Sequence, residues 1–158
     1  MVEANSERAH RGNELAPGAE VSRDEPRHEP PDIYLDNHIM DLKFSPSCNM
    51  LALSQVDGNI RVYSYAESRM DQVLDLSHHK ESVRSIDFSP AGNIIYAASK
   101  DKSFSVISNG RVEGCLAGAH DEPINKIAHI EDDHVVATGD DDGTIKIWDL
   151  RQAQSGKT

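Results

Sequence analysis

The sequence predicts an all-β protein of about three repeated four-stranded units behind a disordered acidic tail. Two observations carry this. Phe44-Ser45-Pro46 returns as Phe88-Ser89-Pro90, and the turn Asp57-Gly58 returns as Asp101-Lys102 and as Asp142-Gly143, at steps of 44 and 41 residues. Between these landmarks short apolar runs alternate with turn residues, which is the texture of half-buried strands separated by tight connections.

Each unit is read strand by strand. In the first, Ile39 to Phe44, Met50 to Ser54, Ile60 to Ser64 and Gln72 to Leu76 are short runs bounded by Ser, Pro, Asn, Asp and Gly. The second repeats the scheme with Val83 to Phe88, Ile94 to Ser99, Phe104 to Ser108 and Arg111 to Ala117. The third offers Ile124 to His129, His134 to Gly139 and Thr144 to Asp149, and no convincing fourth strand before Thr158. The expected organisation is therefore a tail at 1–31 and units at 32–76, 77–117 and 118–158, the last without its outer strand.

From Met1 to about Pro31 the residues are Glu, Pro, Gly, Arg and His with hardly a large apolar side chain, so burial could not offset the chain entropy lost on ordering. The net charge is -11. Residues 1–36 hold 9 Asp/Glu against 4 Lys/Arg, and the remainder 18 against 12, so both parts are acidic. An acidic surface repels phosphate backbones, and direct nucleic-acid binding is not expected. Cys48 and Cys115 stand far apart with no second pair, which signals neither a disulfide framework nor a zinc site and suits a reducing compartment. No apolar run has membrane-spanning length, and Met1 to Glu20 lacks the layout of a secretion signal, so an intracellular, soluble protein without membrane contact is expected.

A period in the low forties, four strands per unit and a terminal Trp148-Asp149 resemble the WD-repeat β-propeller family over residues 32–151. In that family a buried hydrogen-bond chain links a His before the first strand, a Ser or Thr on the second, an Asp in the next turn and a Trp on the third. The resemblance places His120, Thr138, Asp142 and Trp148 in those roles. The chemistry closes: the indole N–H donates to Thr138, its hydroxyl to His120, and the imidazole N–H to Asp142. The second unit keeps His79 and Asp101 but has Ala97 and Ile107. The first keeps Asp57 but has Leu35, Leu53 and Tyr63. Those two degenerate blades are expected to rely on packing.

Ala119-His120, Pro123-Ile124-Asn125 and the run from Ala137 to Arg151 narrow the resemblance to one branch of the family, with Val56-Asp57-Gly58 and Ser99-Lys100-Asp101-Lys102 in support. That branch implies a scaffold in the nucleus and nucleolus, with a cytoplasmic pool allowed, that serves ribosomal RNA maturation and ribosome production. Its partners would be pre-ribosomal factors. Trp148-Asp149-Leu150-Arg151 also resembles the W-D-x-R signature by which some WD-repeat proteins dock on the damaged-DNA-binding adaptor of cullin-4 ubiquitin ligases. Trp148, Asp149 and Arg151 are thus candidate partner-binding residues, with an exposed Arg151 guanidinium offering a bidentate contact to an adaptor carboxylate.

Other chemistries are weaker. Glu131-Asp132-Asp133 and Asp140-Asp141-Asp142 are oxygen-rich but fall in turns and lack the alternating ligand pattern of a calcium loop, so no metal is expected. His78-His79 could suggest a ligand pair, but adjacent strand residues point to opposite faces, so the two rings would not converge on one ion, and His79 is better explained as the repeat His. Thr138 and His120 would be engaged in the buried chain, leaving no exposed nucleophile, so neither an enzyme nor a cofactor is expected. Closed propellers have four to eight blades. Three therefore suggest a piece of a longer, seven-bladed protein, or else self-association through the open blade edges.

Overall fold

The computed structural model describes residues 32–66 and 69–153, the side chains of 152 and 153 apart. The expectation of a disordered tail at 1–31 lies outside these residues. Eleven strands are described: β1 Ile39–Phe44, β2 Met50–Gln55, β3 Asn59–Ala66, β4 Arg69–Ser77, β5 Val83–Phe88, β6 Ile94–Ser99, β7 Phe104–Ser108, β8 Arg111–Leu116, β9 Ile124–Glu131, β10 Val135–Asp140 and β11 Ile145–Asp149. They form three antiparallel meanders in the orders β1-β2-β3-β4, β5-β6-β7-β8 and β9-β10-β11. These are three blades of an all-β array, as the sequence predicts. A short helix, α1 Leu150–Ala153, was not among the expected elements. It starts where Asp149 accepts the Arg151 amide at 3.1 Å, the capping role short acidic side chains favour at a helix start.

The blades stack face to face. Ala52, Ile60 and Val62 of the first meet Ile86, Phe88 and Ile107 of the second in one apolar cluster. Tyr96, Ala98 and Phe104 of the second meet Ile124, Ile127 and Val136 of the third in another. The first strands are tied to each other by carboxylates: Asp41 on β1 accepts the Ile86 amide of β5 at 3.1 Å, and Asp87 on β5 accepts the His129 amide of β9 at 3.1 Å. Each bond satisfies a backbone donor at the junction that the sheet's own ladder leaves free. Gly58 fixes how closely the blades approach. Its φ is +91°, and a Cβ there would stand 2.5 Å from the His79 carbonyl oxygen, at the entry to the second blade.

One irregularity recurs in all three sheets. The register shifts between Ile39 and Asp41, between Val83 and Ser85, and opposite Gly139 and Asp140, where Lys126 and Ile124 pair. The unpaired extra residues are Met40, Arg84 and Asn125, spaced at the repeat. A bulge twists a strand and re-aims the side chain it carries. Here it happens at one end of each first strand, the end shared with the β2–β3, β6–β7 and β10–β11 turns.

Candidate protein-binding surface

The residues with chemical potential divide into buried chains and an exposed end. In the third blade Trp148 Nε1 donates to Thr138 Oγ1 at 2.7 Å, and His120 Nε2 lies 2.6 Å from the same hydroxyl. With Nδ1 protonated, the imidazole donates to a carboxylate 2.7 Å away, but that carboxylate is Asp140 and not Asp142. The correction has a local cause. Asp140 ends β10 with its side chain 4 % exposed and also accepts the Asp142 and Thr144 amides, so it both closes the turn and reaches inward. Those contacts hold its carboxyl below the usual range against burial, which pushes the other way; the largest pull is the His120 bond. Asp142 sits on the exposed side of the turn.

The second blade does not rely on packing alone. His79 Nδ1 lies 3.1 Å from Asp101 Oδ2 and its Nε2 lies 2.9 Å from Ser105 Oγ. Ala97 removed the hydroxyl from β6, and Ser105, its direct cross-strand partner on β7, restores it from the neighbouring strand. Nor do His78 and His79 diverge. They follow the end of β4 in a loop, where strand alternation does not apply, and both Nε2 atoms reach Ser105 Oγ, at 2.8 and 2.9 Å. Burial first and the neighbouring His79 second lower the His78 pKa to about 4, with Asp101 opposing. Burial likewise lowers His79. The first blade substitutes amides. Asn37 and Asn59 both donate to Asp57, at 2.6 and 2.8 Å, and buried Gln55 donates to the Asn37 carbonyl.

His79, Ser105 and Asp101 have the composition of a proton relay, but Ser105 is fully buried, so no substrate atom reaches its hydroxyl. What these sets do is join the strand ends and the preceding loop into one hydrogen-bonded unit. Three side chains of the acidic clusters are likewise engaged: Asp140 by His120, Asp141 by the cluster described next, and Asp132 by the His134 amide. Among the described residues no group of three or more His, Cys, Asp or Glu side chains is placed to hold a metal ion.

The bulged end is different. Arg84 Nη1 donates to Asn125 Oδ1 at 2.5 Å and faces both Asp141 oxygens at 3.1 Å, and Asn125 Nδ2 donates to Asp141 at 2.5 Å. Two consecutive bulge residues and one turn residue thus make a polar cluster across the junction of the second and third blades. Asn125 first and Arg84 second pull the Asp141 carboxyl below its usual range. Met40, the third bulge residue, is exposed beside Asp41, which Lys126 of the third blade meets at 3.5 Å. Sequence reading missed Arg84 and Met40 as surface residues. The signal was there, because both fall one residue inside a first strand at the repeat spacing.

Trp148, Asp149 and Arg151 are at the other end. Trp148 is half-buried against Phe104, with ring centroids 5.3 Å apart, and its indole N–H is used internally. Arg151 does not present an open fork: Nε and Nη2 donate to the two Asp149 oxygens at 2.8 Å each. That pair, chiefly the Arg151 hydrogen bond, holds the Asp149 pKa at about 2. In this structure the exposed guanidinium is held in a bidentate pair by Asp149 of the same chain. At this same end a cleft of about 520 Å³ opens between the first two blades, lined by Cys48, Val62, Val73, Leu74, Phe88 and Ile107 among others.

These blades, their period and their buried His-to-Trp chain define a class of repeat protein. The model of the WD40 domain, the G-beta repeat, matches residues 31–64, 70–108 and 113–149, and the chain belongs to the WD40 repeat family. Among curated proteins it is similar to the WD repeat-containing protein 55 homolog of Drosophila persimilis, 35% identical over 128 residues, covering 80% of this chain and 25% of that protein. It is similar too to WD repeat-containing protein 55 of Danio rerio, 35% identical over 133 residues, covering 82% and 34%. The chain therefore spans between a quarter and about a third of the length of these relatives. Among solved structures it is similar to Chaetomium thermophilum Sqt1, bound in that crystal to the N-terminus of ribosomal protein L10. The TM-score is 0.67 at 22% identity, over 72% of this chain and 32% of that one, which shows a shared fold.

Proposed function

We propose that this chain is a protein-interaction scaffold of ribosome production, working in the nucleolus, and that it engages a protein partner at the bulged end of its blades. The observation that carries this is the recurrent bulge, which sets Met40, Arg84 and Asn125 in a row at one end of three rigid sheets. Interfaces are enriched in Met and Arg, and a polar cluster beside an apolar side chain suits a peptide with one charged and one apolar anchor. The ribosomal direction is supported by the likeness to WD repeat-containing protein 55 and by Sqt1, a protein of the same fold that holds the N-terminus of a ribosomal protein. The polar groups that would serve catalysis are consumed in the buried chains, which favours a binding role over an enzymatic one.

The test is affinity capture of the tagged chain from nuclear extract, with co-captured proteins identified by mass. Pre-ribosomal proteins are expected. Met40→Glu, on an exposed side chain, is expected to reduce their recovery at least several-fold, while Val73→Glu, in the cleft at the opposite end, leaves it unchanged. Loss with Val73→Glu alone moves the surface to the cleft. Recovery of the cullin-4 adaptor in place of ribosomal proteins, abolished by Arg151→Ala, overturns the ribosomal role.

A further inference from the structure

The repeat keeps one place on each third strand in the same register against the second strand: Tyr63 pairs with Leu51, Ile107 with Ile95 and Trp148 with Val136. Two of the three blades fill that place with an aromatic ring. In the third, Trp148 reaches across the junction and packs on Phe104 of the second blade, ring centroids 5.3 Å apart. The second blade has Ile107 there, and at its junction with the first the cleft of about 520 Å³ opens. Val62 and Leu74 of the first blade line it on one side, Phe88 and Ile107 of the second on the other. Both walls belong to complete four-stranded sheets.

We infer that this cleft receives an aromatic side chain carried by a short, uncharged, extended segment of a partner protein. The next junction supplies the precedent, since a ring seated at the equivalent place there packs against the facing blade. Charge sets the rest. Among the described residues none that lines the cleft is Asp, Glu, Lys, Arg or His, although 27% of the chain is charged. A charged group entering it would give up hydration with nothing to offset the loss. The volume falls within the roughly 300–1,000 Å³ of sites that hold a small ligand, and suits a ring with a flanking apolar side chain. Val73 shapes the mouth. It is the extra residue of a bulge on β4, between Gln72 opposite Tyr63 and Leu74 opposite Val62, and it is 52% exposed on the cleft wall. The equivalent bulge on β8 carries Glu113, so the apolar mouth is particular to this junction. On the facing wall the exposed Asn109 side chain, in the turn between β7 and β8, offers the amide donor and acceptor that match a peptide bond. The site is independent of the bulged end: Met40→Glu tests that one and Val73→Asp this one.

The probe is a capped pentapeptide with phenylalanine at its centre, flanked on each side by leucine and then serine, added to the 158-residue chain while iodoacetamide alkylates it. Both cysteines are exposed free thiols, but Cys48 lines the cleft and Cys115 does not, so one reports the site and the other is the internal control. Saturating peptide is expected to slow Cys48 several-fold and to leave Cys115 unchanged. Alanine, aspartate or lysine in place of the central phenylalanine is expected to weaken the apparent Kd by about ten-fold or more. Ile107→Phe supplies the ring from the chain itself and is expected to abolish the protection, with the fold read by Trp148 fluorescence. Val73→Asp does the same from the exposed mouth, and decides the matter should Ile107→Phe fail to fold. No slowing at Cys48, equal slowing at Cys115, equal binding of the aspartate or lysine peptide, or protection that survives Val73→Asp each overturns the inference. So does equal protection by the neutral alkyl detergent octyl glucoside, which would assign the cleft to an alkyl ligand.

Discussion

Thr138→Val removes one oxygen from the centre of the third blade and keeps the shape. The hydroxyl is 1% exposed, accepts from the Trp148 indole at 2.7 Å and donates to His120 Nε2 at 2.6 Å. Its loss strands two groups. His120 is 2% exposed, so its Nε2 gains no water and loses the full desolvation cost, about 1–3 kcal/mol. The half-buried indole adds roughly 1 kcal/mol. The sum, about 2–4 kcal/mol, is a large share of the roughly 5–15 kcal/mol that holds a domain of ordinary stability. Urea unfolding followed by fluorescence reads it cleanly because Trp148 is the single tryptophan and packs in the same cluster. The midpoint is expected to fall at unchanged slope, with protein concentration held fixed so that association does not contribute. Thr138→Ser keeps the oxygen and is expected to lose under about 1 kcal/mol. A valine variant as stable as the native chain, or a serine variant as weak as valine, refutes the hydrogen-bond account.

The carboxylate assignment is tested by Asp140→Asn beside Asp142→Asn: the first is expected to lower the melting temperature clearly and the second hardly at all, and the reverse order would return the role to Asp142. Gly58→Ala places a Cβ against the His79 carbonyl in a backbone conformation alanine resists, so a loss of about 1–3 kcal/mol is expected from the same urea titration. Stability should also fall on mild acidification. His78 titrates at about 4 in the fold against 6.5 unfolded, so between those values the unfolded chain binds a proton that the folded one refuses. The contribution is complete above pH 6.5, declines as the pH drops toward 4 and is spent below it; His79, also lowered, acts in the same direction. About 1–2 kcal/mol is expected after allowing for the partly exposed ring, and His78→Asn should flatten the midpoint against pH between 7 and 4.5.

The fold was legible because it repeats. Period, turn residues and alternation place β1, β5, β6 and β7 at their observed limits, and the rest within one to three residues at either end. Less was visible in the polar chains, for a physical reason. Sequence alignment asks for the same residue at the same position, whereas a hydrogen bond asks only for an oxygen at the right point in space. Ser105 meets His79 from the neighbouring strand, and Asp140 meets His120 from two residues before the aligned Asp142. The pairing of His78 with His79 was misread because strand alternation was applied past Ser77, where β4 has ended. Arg151 is exposed as expected, but the sequence does not show that a helix turn folds its guanidinium back on Asp149.

The surface residues proposed for binding are set by a feature that leaves the core of the array intact. A bulge inserts Met40, Arg84 and Asn125 at the same end of successive first strands while Val83, Ile86, Ile124 and Ile127 around them stay buried. Substitution at Met40 therefore changes the surface without opening the stack, whereas Arg84 and Asn125 also tie the second blade to the third through Asp141. The buried chains work from the other side. By tying the loop before each second and third blade to the turn above it, they hold the bulged ends in fixed register. A scaffold needs both: a surface free to vary and a frame that does not move when it does.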